Sequence, residues 1–230
     1  MRFGGLARTS TIDFPGVLAC VLFTVGCDLD CFYCHNRELI ESEAPQLSEE
    51  EVMAFLNKRR GLLDGVVISG GEPTLMPDLA GFAYNVKEMG YKLKLDTNGQ
   101  RPEVVRRLVE ERLFDYYAVD LKASGNEYYS VCGGDRNKTE QTVDILNEAK
   151  AMFELRTTMY PGLDSQMLYE LLKSAPTAPR HRLNVFRMPV KYKKADAERL
   201  ALTALKAYEA KKVAERIKSE RPDTEYIING

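Results

Sequence analysis

The sequence predicts an α/β fold, a partial (three-quarter) βα barrel of about six parallel strands. Three observations carry this. Short apolar runs alternate with helical stretches along the chain. The runs are continuous, as in strands buried on both faces. Repeated βα units imply a parallel sheet with right-handed crossovers. Six units are too few for a closed eight-fold barrel of about 250 residues; a doubly wound sheet is the alternative. No internal repeat, linker or low-complexity stretch divides the 230 residues, so a single domain is expected over 1–230.

Residues 17–25 (VLACVLFTV) are the clearest strand. After a cysteine-bearing segment, Ser48-Glu49-Glu50-Glu51 predicts a capping box and a helix from Ser48. Residues 65–69 form a second strand, ending in Gly70-Gly71-Glu72-Pro73, and 91–95 a third, running into Asp96-Thr97-Asn98-Gly99. Residues 116–121 form a fourth, ending in Asp120-Leu121-Lys122; 153–159 a fifth; and 183–188 a sixth. Helices are expected near 76–89, 101–112, 138–150 and 164–174, and a long one at about 195–218 with Leu202, Leu205, Val213 and Ile217 on its apolar side. From Lys191 to Arg221 there are ten basic and five acidic residues, which suits a solvated helix face or a docking surface. In such sheets ligands sit at the C-terminal strand ends, where every polar or glycine-rich cluster falls.

Composition narrows the function. Lys and Arg number 32 and Asp and Glu 34, a net charge of −2, which argues against nucleic-acid or basic membrane binding. No apolar run approaches the roughly 18 residues of a membrane span. The first residues lack the basic-then-apolar order of a signal peptide, so a cytoplasmic location is expected, with no nucleic-acid or membrane partner.

Of five cysteines, Cys27, Cys31 and Cys34 crowd together, while Cys20 and Cys132 stand apart. In a reducing compartment a tight trio indicates metal or redox chemistry rather than a disulfide framework. A purely structural helix face is disfavoured by Gly26 and by the Asp and aromatic residues of the segment. The C-x-x-C-H run Cys31–His35 fits c-type haem attachment but leaves Cys27 idle. A zinc site of three cysteines and His35 needs adjacent Cys34 and His35 to converge on one ion. A Cys31–Cys34 dithiol again ignores Cys27. Three thiolates on a four-iron cluster would leave one iron open.

The C-x-x-x-C-x-aromatic-C pattern after the first strand resembles the signature of the radical S-adenosylmethionine enzymes. The resemblance implies that Cys27, Cys31 and Cys34 hold a [4Fe–4S] cluster whose open iron chelates S-adenosyl-L-methionine. It implies that Gly70, Gly71 and Glu72 bind the methionine amino group. It further implies that Asp96, Thr97, Asn98, Asp120, Lys122 and Arg156 line the ligand site, with a monovalent cation near Asp96 and Asp120. Tyr33 and His35 belong to the cysteine motif and are carried with it. Thr11-Ile12-Asp13-Phe14-Pro15-Gly16 and Cys31–Asn36 are similar to activators of glycyl radical enzymes. Within that branch Ser10–Gly16 most resembles the anaerobic ribonucleoside-triphosphate reductase activators. The implied partners are a glycyl radical enzyme and a low-potential electron donor such as flavodoxin or ferredoxin. Two departures stand out: there is no second cysteine cluster, and Phe186-Arg187-Met188-Pro189-Val190 lacks a histidine found there in pyruvate formate-lyase activators.

Overall fold

A computed structural model describes residues 1–41 and 46–229. Its strands are β1 (Phe3–Ser10), β2 (Ala19–Thr24), β3 (Gly65–Gly70), β4 (Lys92–Thr97), β5 (Tyr116–Asp120), β6 (Phe153–Met159), β7 (Arg180–Val185) and β8 (Glu225–Asn229). The α-helices are α1 (Arg37–Ile40), α2 (Glu49–Lys58), α3 (Leu79–Glu88), α4 (Pro102–Glu110), α5 (Tyr128–Cys132), α6 (Arg136–Glu148), α7 (Ser165–Lys173), α8 (Ala197–Leu200) and α9 (Ala207–Ile217). The strands form one sheet in chain order. β1 pairs antiparallel with β2, and each later neighbouring pair is parallel. A strand order that never reverses, combined with right-handed crossovers, keeps the connecting helices on one face. That excludes the doubly wound alternative. Among the described residues β1 and β8 do not pair, so the barrel stays open.

The two faces of the sheet differ in chemistry. Cys20, Leu22, Ile68, Leu93, Leu95, Val119, Leu155 and Leu183 point outward and are buried under the helices. The inner face is apolar at β2 and β3, where Ala19, Val21 and Val67 pack with Phe14 and Tyr116. From β4 to β7 it carries Lys94, Asp96, Asp120, Glu154, Arg156 and Arg182, one residue out of step with the outward apolar set. Such a row of charges belongs on a concave wall lining a site. The 10–16 segment turns between β1 and β2, at the N-terminal end of β2 and thus opposite the strand ends. Its Phe14 lies 6.1 Å from the ring of Tyr116 and plugs that end.

Eight strands replace the six expected. β1 escaped notice because Gly4, Gly5 and Arg8 dilute its apolar pattern, and β8 because it follows a stretch dominated by helical residues. The expected helix at 195–218 is two pieces, α8 and α9. The Gly162 N–H donates to the Thr203 carbonyl at 2.9 Å, drawing the chain out of helical geometry. The Glu209 carboxylate then accepts the Lys206 N–H at 2.9 Å and starts α9. Leu205, Val213 and Ile217 are buried as expected, but Leu202 is 55% exposed. The capping box holds: Ser48 Oγ accepts the Glu51 N–H at 3.1 Å, and Glu51 accepts the Ser48 N–H at 2.8 Å.

His181 opens β7 and is buried. The Thr157 hydroxyl donates to the Leu121 carbonyl at 2.8 Å, so the imidazole at 2.9 Å donates to Thr157 from Nε2. Burial, followed by the field of Arg221, holds its pKa down at about 3 against an ordinary 6.5. A depressed histidine pKa means the unfolded chain takes up a proton that the folded chain refuses. Stability therefore falls as pH drops below about 6.5, by about 2 kcal/mol between pH 7 and pH 5. Urea unfolding at those two pH values is expected to show this slope in the native protein and to lose it in His181→Gln.

Candidate functional site

The site begins where β2 ends. Gly26, at φ +85°, turns the chain into the cysteine segment. Its carbonyl accepts the Glu72 N–H at 2.8 Å, and its own N–H donates to Leu39 O at 2.7 Å. A Cβ placed on Gly71 would stand 2.0 Å from Gly26 O, so glycine alone fits there. The glycine turn after β3 and the cysteine loop after β2 are thus locked backbone to backbone.

Cys27 and Cys34 are half-buried and Cys31 is buried; all three are free thiols. Cys27 Sγ accepts the Leu29 N–H at 3.4 Å and faces Asn98 Nδ2 at 3.8 Å. Behind the loop, Arg37 is buried, pairs with Asp30 and donates from Nη2 to Cys31 O at 2.8 Å. Lys193 pairs with the other Asp30 oxygen, and Arg199 stacks 3.8 Å above Phe32, tying the C-terminal segment onto the loop. Burial pushes the Cys27 thiol up to about 12, and burial and then Cys31 raise Cys34. Hydrogen bonding to Cys132 and burial raise Cys31 further still. Such thiols become thiolates when a metal takes the place of the proton.

Cys132, expected to stand apart, does not. It ends α5, is buried, and its thiol contacts that of Cys31. Its distance in sequence concealed this, because the α5 turn folds back onto residues 29–32. Cys20 does stand apart, in the outward core.

Glu72 follows the glycine turn and precedes Pro73. It is fully buried, and its carboxylate accepts from Asn98 N at 2.7 Å, Thr97 Oγ1 at 2.7 Å, Thr74 Oγ1 at 2.6 Å and Thr74 N at 3.1 Å. Both oxygens accept within the protein, so the side chain joins the ends of β3 and β4. Burial raises its pKa despite these four donors. Glu72→Ala strands the four donors and is expected to lower stability by about 3 kcal/mol or more in urea unfolding. Glu72→Gln keeps the shape but turns one acceptor into a donor, and is expected to fall between.

Asn98 links this clamp to the cysteine loop, donating to Asp28 Oδ1 at 2.7 Å. The inner wall next to it is a ladder of charges. Lys94 Nζ meets Asp96 Oδ1 at 2.5 Å; Arg156 donates from Nη1 to Asp96 Oδ2 at 2.7 Å and from Nε to Asp120 Oδ1 at 2.9 Å; Lys122 meets Asp120 Oδ2 at 2.9 Å. Ser69 Oγ also donates to Asp96 at 3.0 Å. Burial works to raise the Asp96 pKa, but Arg156 and Lys94 outweigh it and bring it to about 2. Burial opposes the charge of Lys122, and Asp120 and Cys31 overcome it. Three cations on two carboxylates leave this wall with a net positive charge. Every oxygen of Asp96 and Asp120 has a protein partner. Lys94 was missed from sequence, although the alternation in Lys92-Leu93-Lys94-Leu95-Asp96 puts it on the face of Asp96.

Tyr33 is buried, with its ring stacked 5.3 Å from Tyr160 and its hydroxyl without a partner. His35 is exposed and lines an open cavity of about 410 Å³ with Gly4, Gly5, Phe23 and Val190. The structure does not bring His35 together with the ladder.

A family model described as "Radical SAM superfamily" matches residues 21–175, two-thirds of the chain, which include Cys27, Cys31, Cys34, Gly70, Gly71 and the ladder from Lys94 to Arg156. The chain belongs to the radical S-adenosylmethionine superfamily. A Methanocaldococcus jannaschii protein named as a glycyl-radical enzyme activating enzyme is 32% identical over 79% of this chain and 78% of its own length. The pyruvate formate-lyase-activating enzyme of Staphylococcus aureus is 30% identical over 65% of this chain and 62% of its own. Streptococcus suis SuiB bound to S-adenosylmethionine shares the fold at TM-score 0.70 and 16% identity, covering 91% of this chain and 52% of SuiB. This radical S-adenosylmethionine chain therefore spans about half of that structure, and less than two-thirds of the Staphylococcus relative.

The superfamily works with a [4Fe–4S] cluster and S-adenosylmethionine, and the donor set of this chain fits both. Among the described residues no three Cys, His, Asp or Glu side chains converge on a single ion. Thiolates that each hold a different iron have no need to converge, whereas a zinc site requires it. The Leu29 N–H aimed at Cys27 Sγ is the kind of hydrogen bond that tunes iron–sulfur clusters.

Proposed function

We propose that this enzyme activates a glycyl radical partner, with anaerobic ribonucleoside-triphosphate reductase as the protein it serves. The observation that carries the reading is the Methanocaldococcus relative, matched over most of both chains, whose name states that activity. The fit of Ser10–Gly16 and Cys31–Asn36 to the activator pattern supports it. The Staphylococcus relative supports the same branch and favours pyruvate formate-lyase as the second candidate partner. The reaction belongs in an anaerobic cytoplasm, with flavodoxin or ferredoxin as donor.

In this reading Cys27, Cys31 and Cys34 each hold one iron. When bound and reduced, the cluster supplies the electron that splits the sulfonium of S-adenosylmethionine, leading to hydrogen abstraction from a glycine Cα of the partner. The chain's own residues bind and orient. Gly70 and Gly71 let backbone approach the methionine amino group closely, and Glu72 holds that turn to β4 as a positioning residue. Arg156 spends Nε and Nη1 on the aspartates, leaving Nη2 and the Lys122 ammonium to meet the methionine carboxylate. Asp96 and Asp120 fix those cations in place. Thr97 and Asn98 set the end of β4 against the cysteine loop, and Tyr33 walls the loop off from water with Tyr160. His35, on the outer side, contributes no ligand contact in this scheme.

The test is electron spin resonance. Reduced enzyme, S-adenosylmethionine and the reductase of the same organism are expected to give a glycine-centred doublet on the reductase. A doublet on pyruvate formate-lyase alone would reassign the partner. Cleavage without a radical on any glycyl radical enzyme would overturn the proposal.

A further inference from the structure

Cys132 is a buried nucleophile that no step above uses. The segment carrying it is laid directly on the cysteine loop: Asp30 N–H donates to Cys132 O at 2.8 Å, and Phe32 N–H to Val131 O at 3.4 Å. These two bonds flank Cys31 and hold the end of α5 against it. The approach is tight, since a Cβ on Gly134 would stand 2.7 Å from the Leu29 side chain. The two thiols act on each other's ionisation, which pushes Cys31 up and Cys132 down. Cys132 Sγ also donates to Tyr128 O, one turn back in α5, at 3.0 Å.

We infer that Cys132 is a resolving cysteine for Cys31, forming a reversible Cys31–Cys132 disulfide when peroxide strips iron from the site. The inference rests on Cys31 being a cluster ligand, not on the identity of the partner. Freed Cys31 thiolate attacks the peroxide O–O bond, giving a Cys31 sulfenic acid and releasing hydroxide. The Cys132 thiol then attacks the sulfenic sulfur; the S–S bond forms and water leaves. In sum, two thiols and one hydrogen peroxide give one disulfide and two waters, the sulfurs being oxidised by two electrons and the peroxide reduced. Trapping Cys31 at this stage keeps it from the sulfinic acid, which thiols do not reverse. It also pins the cysteine loop to α5, so the site cannot be reloaded until a thiol reductant opens the bond.

The experiment treats the reconstituted full-length enzyme with hydrogen peroxide, alkylates free thiols and maps peptides by mass spectrometry. The expected product is a peptide pair joined through Cys31 and Cys132, lighter by two hydrogens, with Cys27 and Cys34 alkylated. Iron uptake from iron and sulfide is expected to fail for this product and to return after dithiothreitol. In Cys132→Ser the same treatment is expected to leave Cys31 as sulfinic acid, with no return of iron uptake. A disulfide confined to Cys27, Cys31 and Cys34, or Cys132 recovered fully alkylated from native protein, would overturn the inference. Both outcomes are read on native protein, so a folding defect in the variant does not blunt the test. Failure here would leave the glycyl-radical assay untouched.

Discussion

Cys31→Ala, prepared anaerobically and supplied with iron and sulfide, is expected to fall from about four irons per chain to near none. Reductive cleavage of S-adenosylmethionine should vanish with the iron. Each of Cys27, Cys31 and Cys34 supplies one of three protein ligands, and the loop holds no spare thiol on the ligand side. Cys132 touches Cys31 but belongs to another element, held by its bond to Tyr128 O. Cys20→Ala is the control: the residue lies in the outward core, burial pushes its thiol up to about 12, and it behaves as a small hydrophobe. Its loss should keep iron and lower stability by only about 1 kcal/mol. Iron content and visible absorption read both outcomes. Full iron retention in Cys31→Ala would mean that the ligand set is misassigned.

The second large effect is expected at Arg156. Its guanidinium lies between two carboxylates, and its side chain is 19% exposed. Arg156→Ala leaves Asp96 and Asp120 facing each other with one lysine apiece. Breaking a buried pair on one side costs about 3–5 kcal/mol, and Lys94 and Lys122 should hold the loss near the lower figure. Arg156→Lys keeps the charge, but an ammonium lacks the two-pronged reach of a guanidinium, so about half the loss should remain. The native Asp96 contribution is present above its ordinary 3.8 and disappears as pH falls from there to about 2. Without Arg156 its pKa rises, so acid unfolding should begin at higher pH. Urea and acid titrations of the three proteins test this; equal stability in all three would contradict the ladder.

The sequence carried the sheet because its strands β2 to β6 are dense runs bounded by glycine and acidic turns, and the cysteine motif fixed where the mouth lies. It also brought Asp96, Asp120, Lys122 and Arg156 to one wall, since all end or line neighbouring strands. Contacts that depend on loop return were not legible. Nothing in the spacing of 101 residues between Cys31 and Cys132 places their thiols together. A carboxylate beside two glycines suits an ammonium, and only the packing of Thr74, Thr97 and Asn98 around Glu72 shows what its two oxygens hold. The break between α8 and α9 depends on the Thr203 carbonyl claimed by Gly162, 41 residues upstream, which helical periodicity does not register.

The central claim is that this enzyme takes a hydrogen atom from a glycine of another protein, and isotope transfer tests it most directly. The partner reductase is made with deuterium at glycine Cα and mixed anaerobically with reduced enzyme and S-adenosylmethionine. The account predicts deuterium in the 5′-deoxyadenosine, in step with the growth of the glycine-centred radical. 5′-Deoxyadenosine formed in the presence of the reductase but carrying no deuterium would contradict it.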